Sequence, residues 1–526
     1  MLDTVIKNGR VVDGSGNPWF KADIGIKGEI IKKIGDLTSI ESRKSIDAGG
    51  NIISPGFIDP HVHSDLLCTI PDIHKIKVLQ GVTTELFGQD GISVAPVSEV
   101  TKPIWQKQLS GLNGDIGDWN WLSIDEYLSF LENSDIIGNA AYLVPHGGVR
   151  TLVMGFEGRE ATQEECVKMR ELVEKGMRQG AIGISTGLVY PPNVFSNKEE
   201  LIEICKGAAA YNGCFVVHIR NESIHSLEAL EEVIDISRQS GARLHVSHFK
   251  IIGHKNRDKF SMALEKMEMA RNEGIEVTFD QYPYSAASTV FQAILPPWVH
   301  AGGSLKMLER LRDSENRKRI EEDFASNTTF ENWVLSCGWE NIVITSVMTD
   351  QNKPLEGKTM VEIARSREQK PADAAFDLLL EERGNVAMTI HWGYEEDVEL
   401  GLRHPLQSVG SDGIFGGKPH PRLYGTFPKV LSEYVRKKKI LTIEQAVRRM
   451  TSAPAQMMRL KNRGLIKESY FADLVIFDPN KIEDKATFDH PLQRPIGIHD
   501  VFINGVHTVS QGNYTGTAAG KVIRRD

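Results

Sequence analysis

The chain is expected to fold as an α/β protein built on a (β/α)8 TIM barrel, and three observations predict this. From residue 56 to about residue 460, short apolar runs alternate with helical patterns, as in a parallel sheet covered by helices. About eight such units over ~400 residues fit a barrel of eight strands with insertions. Both ends differ from this middle. Residues 4–53 and 464–523 read as short alternating strands, with turns at Asn8-Gly9, Asp13-Gly14 and Lys27-Gly28.

Composition bounds the partners. At 526 residues the chain is too long for one simple core, so at least two domains are expected. Hydrophobic residues at 40% and charged residues at 25% are ordinary for a globular protein. The net charge of −9, with acids and bases mixed, argues against nucleic acid or an anionic membrane as partner. No stretch approaches the ~20 apolar residues of a membrane span. The first ten residues lack the apolar core of a signal peptide. Cys68, Cys166, Cys205, Cys214 and Cys337 show no CxxC spacing, which suits free thiols in a reducing compartment. A cytoplasmic protein is expected.

The elements follow in order. An apolar run over 52–58 reads as a buried strand ending in Asp59-Pro60-His61-Val62-His63. Residues i and i+2 of a strand share a face, so two imidazoles leave its end together, as a metal site requires. The next run, 82–87, ends in Gly88-Gln89-Asp90-Gly91, where Asp90 is either a ligand or a turn residue. Further strands are expected near 140–144, 180–185, 214–218, 243–248, 276–280, 341–345 and 408–411. Those at 214 and 243 end in His218 and His248. His245, three residues before His248, points to the other face and reads as packing. The strand near 276 leads into Tyr282-Pro283-Tyr284, and the last ends in Asp412. Between about 289 and 337 a charged stretch breaks the rhythm and reads as a helical insertion over the barrel mouth.

Active sites of such barrels lie at the carboxyl ends of the strands. Histidines and a carboxylate there make a hydrolytic metal site. The metal would lower the pKa of a bound water and polarise a carbonyl. A carboxylate beside it would move the proton, and Asp412 has the position for this.

At this point the motifs resemble a known group. Pro55-Gly56-Phe57-Ile58-Asp59-Pro60-His61-Val62-His63 is similar to the opening motif of the amidohydrolase superfamily. Other stretches resemble its D-aminoacylase (N-acyl-D-amino-acid deacylase) family. They include Gly183-Ile184-Ser185-Thr186-Gly187, His218-Ile219-Arg220-Asn221-Glu222, Ser247-His248-Phe249-Lys250 and Asp280-Gln281-Tyr282-Pro283-Tyr284. They continue with Gly410-Ser411-Asp412-Gly413 and His420-Pro421-Arg422.

The resemblance implies a barrel over 57–461 and a small β-sandwich domain built from both ends, 1–56 and 462–526. It implies one or two divalent metals, zinc in the first place. His218 and His248 would hold the tight position, and His61, His63 and Asp412 would face a weaker one. Asp412 would be the general base and acid, and Tyr190 would bind the scissile carbonyl. Lys250, Tyr282, Ser288 and Arg422 would hold the carboxylate of a small anionic substrate. The family usually places cysteine where this chain has Asp90. A carboxylate can still ligate zinc or bridge two metals, and its harder oxygen admits Mn2+.

The expected activity is hydrolysis of N-acyl-D-amino acids to a carboxylate and a free D-amino acid. A cyclic-amide hydrolase of the dihydroorotase or hydantoinase kind is the alternative. Such enzymes usually carry a carboxylated lysine after a middle strand, whereas the matching strands here run into His146 and Thr186. A barrel scaffold without metals is the remaining alternative.

Overall fold

The structure is a computed structural model and describes residues 1–113 and 116–525. Eight parallel strands form the barrel. They are β1 (Phe57–Asp59), β2 (Val82–Phe87), β3 (Asn139–Tyr142, resuming as Val144–Pro145) and β4 (Gly183–Gly187). They continue with β5 (Cys214–His218), β6 (Arg243–Val246), β7 (Val277–Gln281) and β8 (Gln407–Val409). Hydrogen bonding runs from β1 through β2 to β3, and from 144–145 through β4 to β8 in chain order. The ring closes where Val62 bridges Gly413 in parallel and the Asp412 N–H donates to the His61 carbonyl at 2.8 Å. The buried Asp59 carboxylate strengthens this seam. It accepts from Ser411 N at 2.9 Å and from Lys77 Nζ at 2.6 Å.

The barrel strands are buried almost throughout, as expected of a sheet packed on both faces. Their outer faces are covered by amphipathic helices. In Gln163–Arg178, a Thr162–Glu165 capping box starts the helix, and Cys166, Met169, Val173 and Met177 form its buried stripe.

The two ends share one sheet. Ile52–Pro55 pairs antiparallel with Leu474–Phe477, which joins the strands before the barrel to those after it. Among the described residues, nine strands belong to this sheet. It curls back on itself through a bridge between Ile30 and Phe471 and encloses Ile6, Ile24, Ile53, Leu474, Ile476 and Phe502. The apolar run over 52–58 is therefore two strands rather than one. It divides at Gly56, where an added Cβ would lie 2.2 Å from Thr83 Oγ1.

The second difference concerns 341–345. This segment is Ile342–Ser346 and is no barrel strand. It lies in an antiparallel three-stranded sheet with Ala286–Val290 and Ala387–His391. Ile342 and Ile344 are buried like barrel residues, so local pattern alone does not separate the two cases. The excursion between β7 and β8 holds the expected helices, Ser304–Arg312 and Ser314–Ser326 among them, but continues well past 337. No helix among the described residues is long and apolar enough to cross a membrane.

Candidate metal centre and active site

The strand ends bring His61, His63, Asp90, His218, His248 and Asp412 to one buried point. His61 and His63 leave β1 together, with ring centroids 5.4 Å apart. Their Nε2 atoms lie 3.8 and 3.6 Å from Asp90 Oδ2, and 3.6 and 3.2 Å from Asp412 Oδ1. From β5 and β6, His218 Nδ1 and His248 Nε2 approach to 2.9 Å, and His248 Nε2 is 3.9 Å from Asp90 Oδ1.

The backbone is bent to make this possible. Asp90, His248 and Asp412 have φ of 56°, 33° and 49°, a region that non-glycine residues rarely occupy. Such conformations cost about 1–3 kcal/mol each and cluster at functional sites. The glycines beside Asp90 serve the same turn. A Cβ on Gly88 would lie 2.4 Å from the Leu143 carbonyl oxygen, and one on Gly91 would lie 2.6 Å from Asn193 Nδ2. Asp90 is thus a carboxylate aimed inward by its turn.

Three overlapping donor sets result: His61, His63 and Asp90; Asp90, His218 and His248; His61, His248 and Asp412. Within each set the donor atoms lie within 4.8 Å of one another. Asp90, His61 and His248 each belong to two of them, and of the three only Asp90 is a carboxylate. Both ring nitrogens of His61, His63 Nδ1, His218 Nε2 and Asp90 Oδ1 are buried without a hydrogen-bond partner. Leaving such groups unsatisfied costs about 1–3 kcal/mol each. The donor set therefore fits one or two divalent cations.

The electrostatics agree. Burial would raise the Asp90 carboxyl, but His61, His248 and His218 outweigh it and hold the group below the usual carboxylate range. Burial opposes ionisation of Asp412 too. The Arg422 guanidinium, then His61 and His63, reverse this and hold it well below that range.

Two supporting carboxylates are not singled out by the sequence reading. Asp280, at the end of β7, lies 3.5 Å from His61 Nδ1 and accepts from the His248 N–H at 3.0 Å. His245 is buried as expected but is more than packing: its Nε2 is 3.0 Å from Asp280 Oδ2. The signal was a cross-strand one, since β6 and β7 pair His245 with Thr278, next but one to Asp280. Glu222 Oε1 lies 3.2 Å from His248 Nδ1 and accepts from Lys250 Nζ at 2.7 Å. Carboxylates that orient metal-binding imidazoles in this way tune the site.

A cavity opens beside these donors, lined by Tyr190, Lys250, Ser288, Trp333, Ile92 and Val290 among others. The Tyr190 hydroxyl is 2.8 Å from Thr289 Oγ1, and burial raises its pKa, so it remains a donor. Arg422 and Tyr282 stand behind the wall. Arg422 Nη1 lies 2.8 Å from Asp412 Oδ2, and its Nη2 donates to the Ser288 carbonyl at 2.8 Å. Tyr282 stacks under this guanidinium, 4.6 Å from ring centroid to Cζ, and its buried hydroxyl has no partner. The two cations expected to await a substrate carboxylate are therefore already paired, Arg422 with Asp412 and Lys250 with Glu222.

Asp90 can be tested as a ligand. Asp90→Ala is expected to lose metal affinity, measured by titration. Asp90→Cys should keep a metal and shift preference toward zinc, because thiolate is softer. Normal metal binding by Asp90→Ala would reduce Asp90 to a turn residue.

Comparison with known proteins accords with this geometry. The D-aminoacylase of Alcaligenes xylosoxydans xylosoxydans is 34% identical, with 100% of this chain and 98% of that protein aligned. A crystal structure of D-aminoacylase superposes with a TM-score of 0.84 at 33% identity, covering 100% of both chains. The N-acyl-D-glutamate deacylase of Bordetella bronchiseptica, solved with zinc and a phosphonate mimic of the tetrahedral intermediate, gives a TM-score of 0.85 at 30% identity, again over 100% of both chains. The model of the amidohydrolase family matches residues 44–299 and 349–515, and the chain belongs to that family.

Proposed function

We propose that the protein is a metal-dependent deacylase that hydrolyses N-acyl-D-amino acids to a carboxylate and a free D-amino acid. The observation that carries this reading is one cavity lined by metal donors, a proton-transfer carboxylate and the Lys250 ammonium. The full-length likeness to D-aminoacylase supports the linear amide and the D configuration.

His218, His248 and Asp90 would hold one divalent metal, and His61, His63, Asp90 and Asp412 face a second position. Zinc is the first candidate, and the oxygen of Asp90 also suits Mn2+. When bound, such a metal lowers the pKa of the attacking water and polarises the scissile carbonyl. Asp412 takes the proton of that water and passes it to the leaving amide nitrogen, so that an amine departs. Tyr190 donates to the oxygen that gains charge. Lys250, with Ser288 beside it in the cavity wall, would hold the substrate carboxylate, and Tyr282 and Arg422 would back them from behind that wall.

Ile92, Leu112, Ile252, Val290, Trp333 and Ile390 give the cavity an apolar wall, which suits an apolar amino-acid side chain. Val290 and Trp333 come from the excursion, which in this reading closes over the bound substrate. The cyclic-amide alternative gains nothing from the structure: the imidazole after 144–145, His146, is bonded to Glu200 and Thr186, at 2.7 and 2.9 Å. A cytoplasmic setting is supported by the free thiols, four of them buried.

Comparing an N-acyl-D-amino acid with its carboxamide on the wild-type enzyme tests the reading. A hydrogen bond to a charged group contributes about 1.5–3 kcal/mol, so kcat/KM should favour the acid by about ten- to a hundredfold. Equal turnover of acid and amide would remove the carboxylate site.

A further inference from the structure

Besides its cavity-lining residues, the excursion contacts the active-site loop through Glu331, a buried side chain that has no part in the chemistry above. Glu331 lies just before the helix Trp333–Cys337 and is 4% exposed. Both of its oxygens are turned on the loop that follows β5. Oε2 accepts from the Glu222 backbone N–H, and Oε1 accepts from the Ser223 hydroxyl.

That loop is held from its other side as well. The Glu222 carbonyl accepts from Ile252 N at 2.6 Å, and Asn221 Oδ1 accepts from Ser223 N and His225 N at 3.1 and 2.8 Å. The Glu222 side chain lines the cavity and grips Lys250 Nζ at 2.7 Å. On the excursion side, Asn332 Nδ2 donates to the carbonyls of Asp323, Phe324 and Asn327 at 3.0, 3.3 and 3.0 Å. This ties Glu331 to the helix Ser314–Ser326, and the next residue, Trp333, is part of the cavity wall. A continuous path of short contacts thus runs from the excursion to Lys250.

We propose that Glu331 is a positioning residue for recognition of the substrate carboxylate. It locks the loop after β5 so that Glu222 holds Lys250 toward the cavity, and it makes that grip depend on the seating of the excursion. The inference rests on the reading that the substrate carries a carboxylate bound at Lys250. Burial beside Glu222 pushes the Glu331 carboxyl up to about 7. The two bonds survive either protonation state: the carboxyl oxygen accepts the N–H in both, and the serine hydroxyl can donate or accept.

The test uses the metal-loaded enzyme with an N-acyl-D-amino acid and its carboxamide. Glu331→Ala removes both acceptors. KM for the acid should rise about tenfold or more, with kcat, metal content and the carboxamide KM near wild type. Glu331→Gln should restore the acid KM, because its oxygen accepts the Glu222 N–H and its NH2 donates to Ser223 Oγ. If Glu331→Ala does not fold, Ser223→Ala removes one of the two bonds and should give a smaller rise confined to the acid. An unchanged acid KM in the alanine variants would overturn the proposal. Equal rises for acid and carboxamide would do the same by making Glu331 merely structural. The carboxylate reading is judged separately, on the wild type alone. If the wild type does not distinguish acid from carboxamide, that reading fails and this inference falls with it.

Discussion

Asp412→Asn is expected to lower kcat by about 10²- to 10⁴-fold, the usual effect of losing a general acid–base group. The asparagine keeps the shape of the side chain and leaves a carbonyl oxygen near Arg422, without the charge of the ion pair. It cannot take a proton from water and pass it to an amine. Asp412 sits between the donor histidines and Arg422. Its Oδ1 is 3.2 Å from His63 Nε2, and its Oδ2 is 2.8 Å from Arg422 Nη1. Burial alone would favour the neutral acid, but Arg422 and the histidines keep the carboxylate ionised. The metal set of Asp90, His218 and His248 does not include Asp412, so the tightly held metal should persist, whereas any second metal at the set of His61, His248 and Asp412 should be weakened. Steady-state kinetics paired with metal analysis checks both halves. A kcat near wild type would exclude Asp412 as the proton carrier.

His218→Ala and His248→Ala are expected to remove the tightly held metal and the activity together. Outer residues that only orient a ligand typically cost 10- to 100-fold in affinity or activity, and removing a ligand should cost more. Both imidazoles are nearly fully buried, at 2% and 3% exposure. His218 Nε2 has no hydrogen-bond partner, and the ring's other nitrogen, Nδ1, meets only the second donor His248 Nε2 at 2.9 Å. His248 is held with its backbone at φ 33° by the Asp280 carboxylate. Full metal occupancy in both variants would move the tight site elsewhere.

Much of this site was legible in the sequence because each donor follows an apolar run. His218 ends a barrel strand and His61, His63, His248 and Asp412 stand just past one, at the end where such folds place their chemistry. Asp90 was ambiguous, since aspartate in a glycine turn is usually local. The close approach of Gly88 to Leu143 on the neighbouring strand gives the turn its inward aim, and that contact is invisible to spacing.

Other features depend on register between distant segments. His245 meets Asp280 only because β6 and β7 align them, and Arg422 meets Asp412 only through the fold of the segment between them. Residues 341–345 have the apolar pattern of a barrel strand. Their partners are Ala387–His391 in antiparallel pairing, and pairing partners leave no mark on local periodicity. The opposite case is 52–58, where one apolar run serves two sheets. The break at Gly56 follows from its contact with Thr83, 27 residues further on.

Amine release from matched N-acetyl-D- and N-acetyl-L-amino acids, measured on protein of known metal content, tests metal-dependent D-deacylation most directly. The D series with apolar side chains should be hydrolysed and the L series should not. Chelation should abolish the activity, and zinc or manganese should restore it. Full activity in metal-free protein, or hydrolysis of cyclic amides in place of linear N-acyl-D-amino acids, would contradict the assignment.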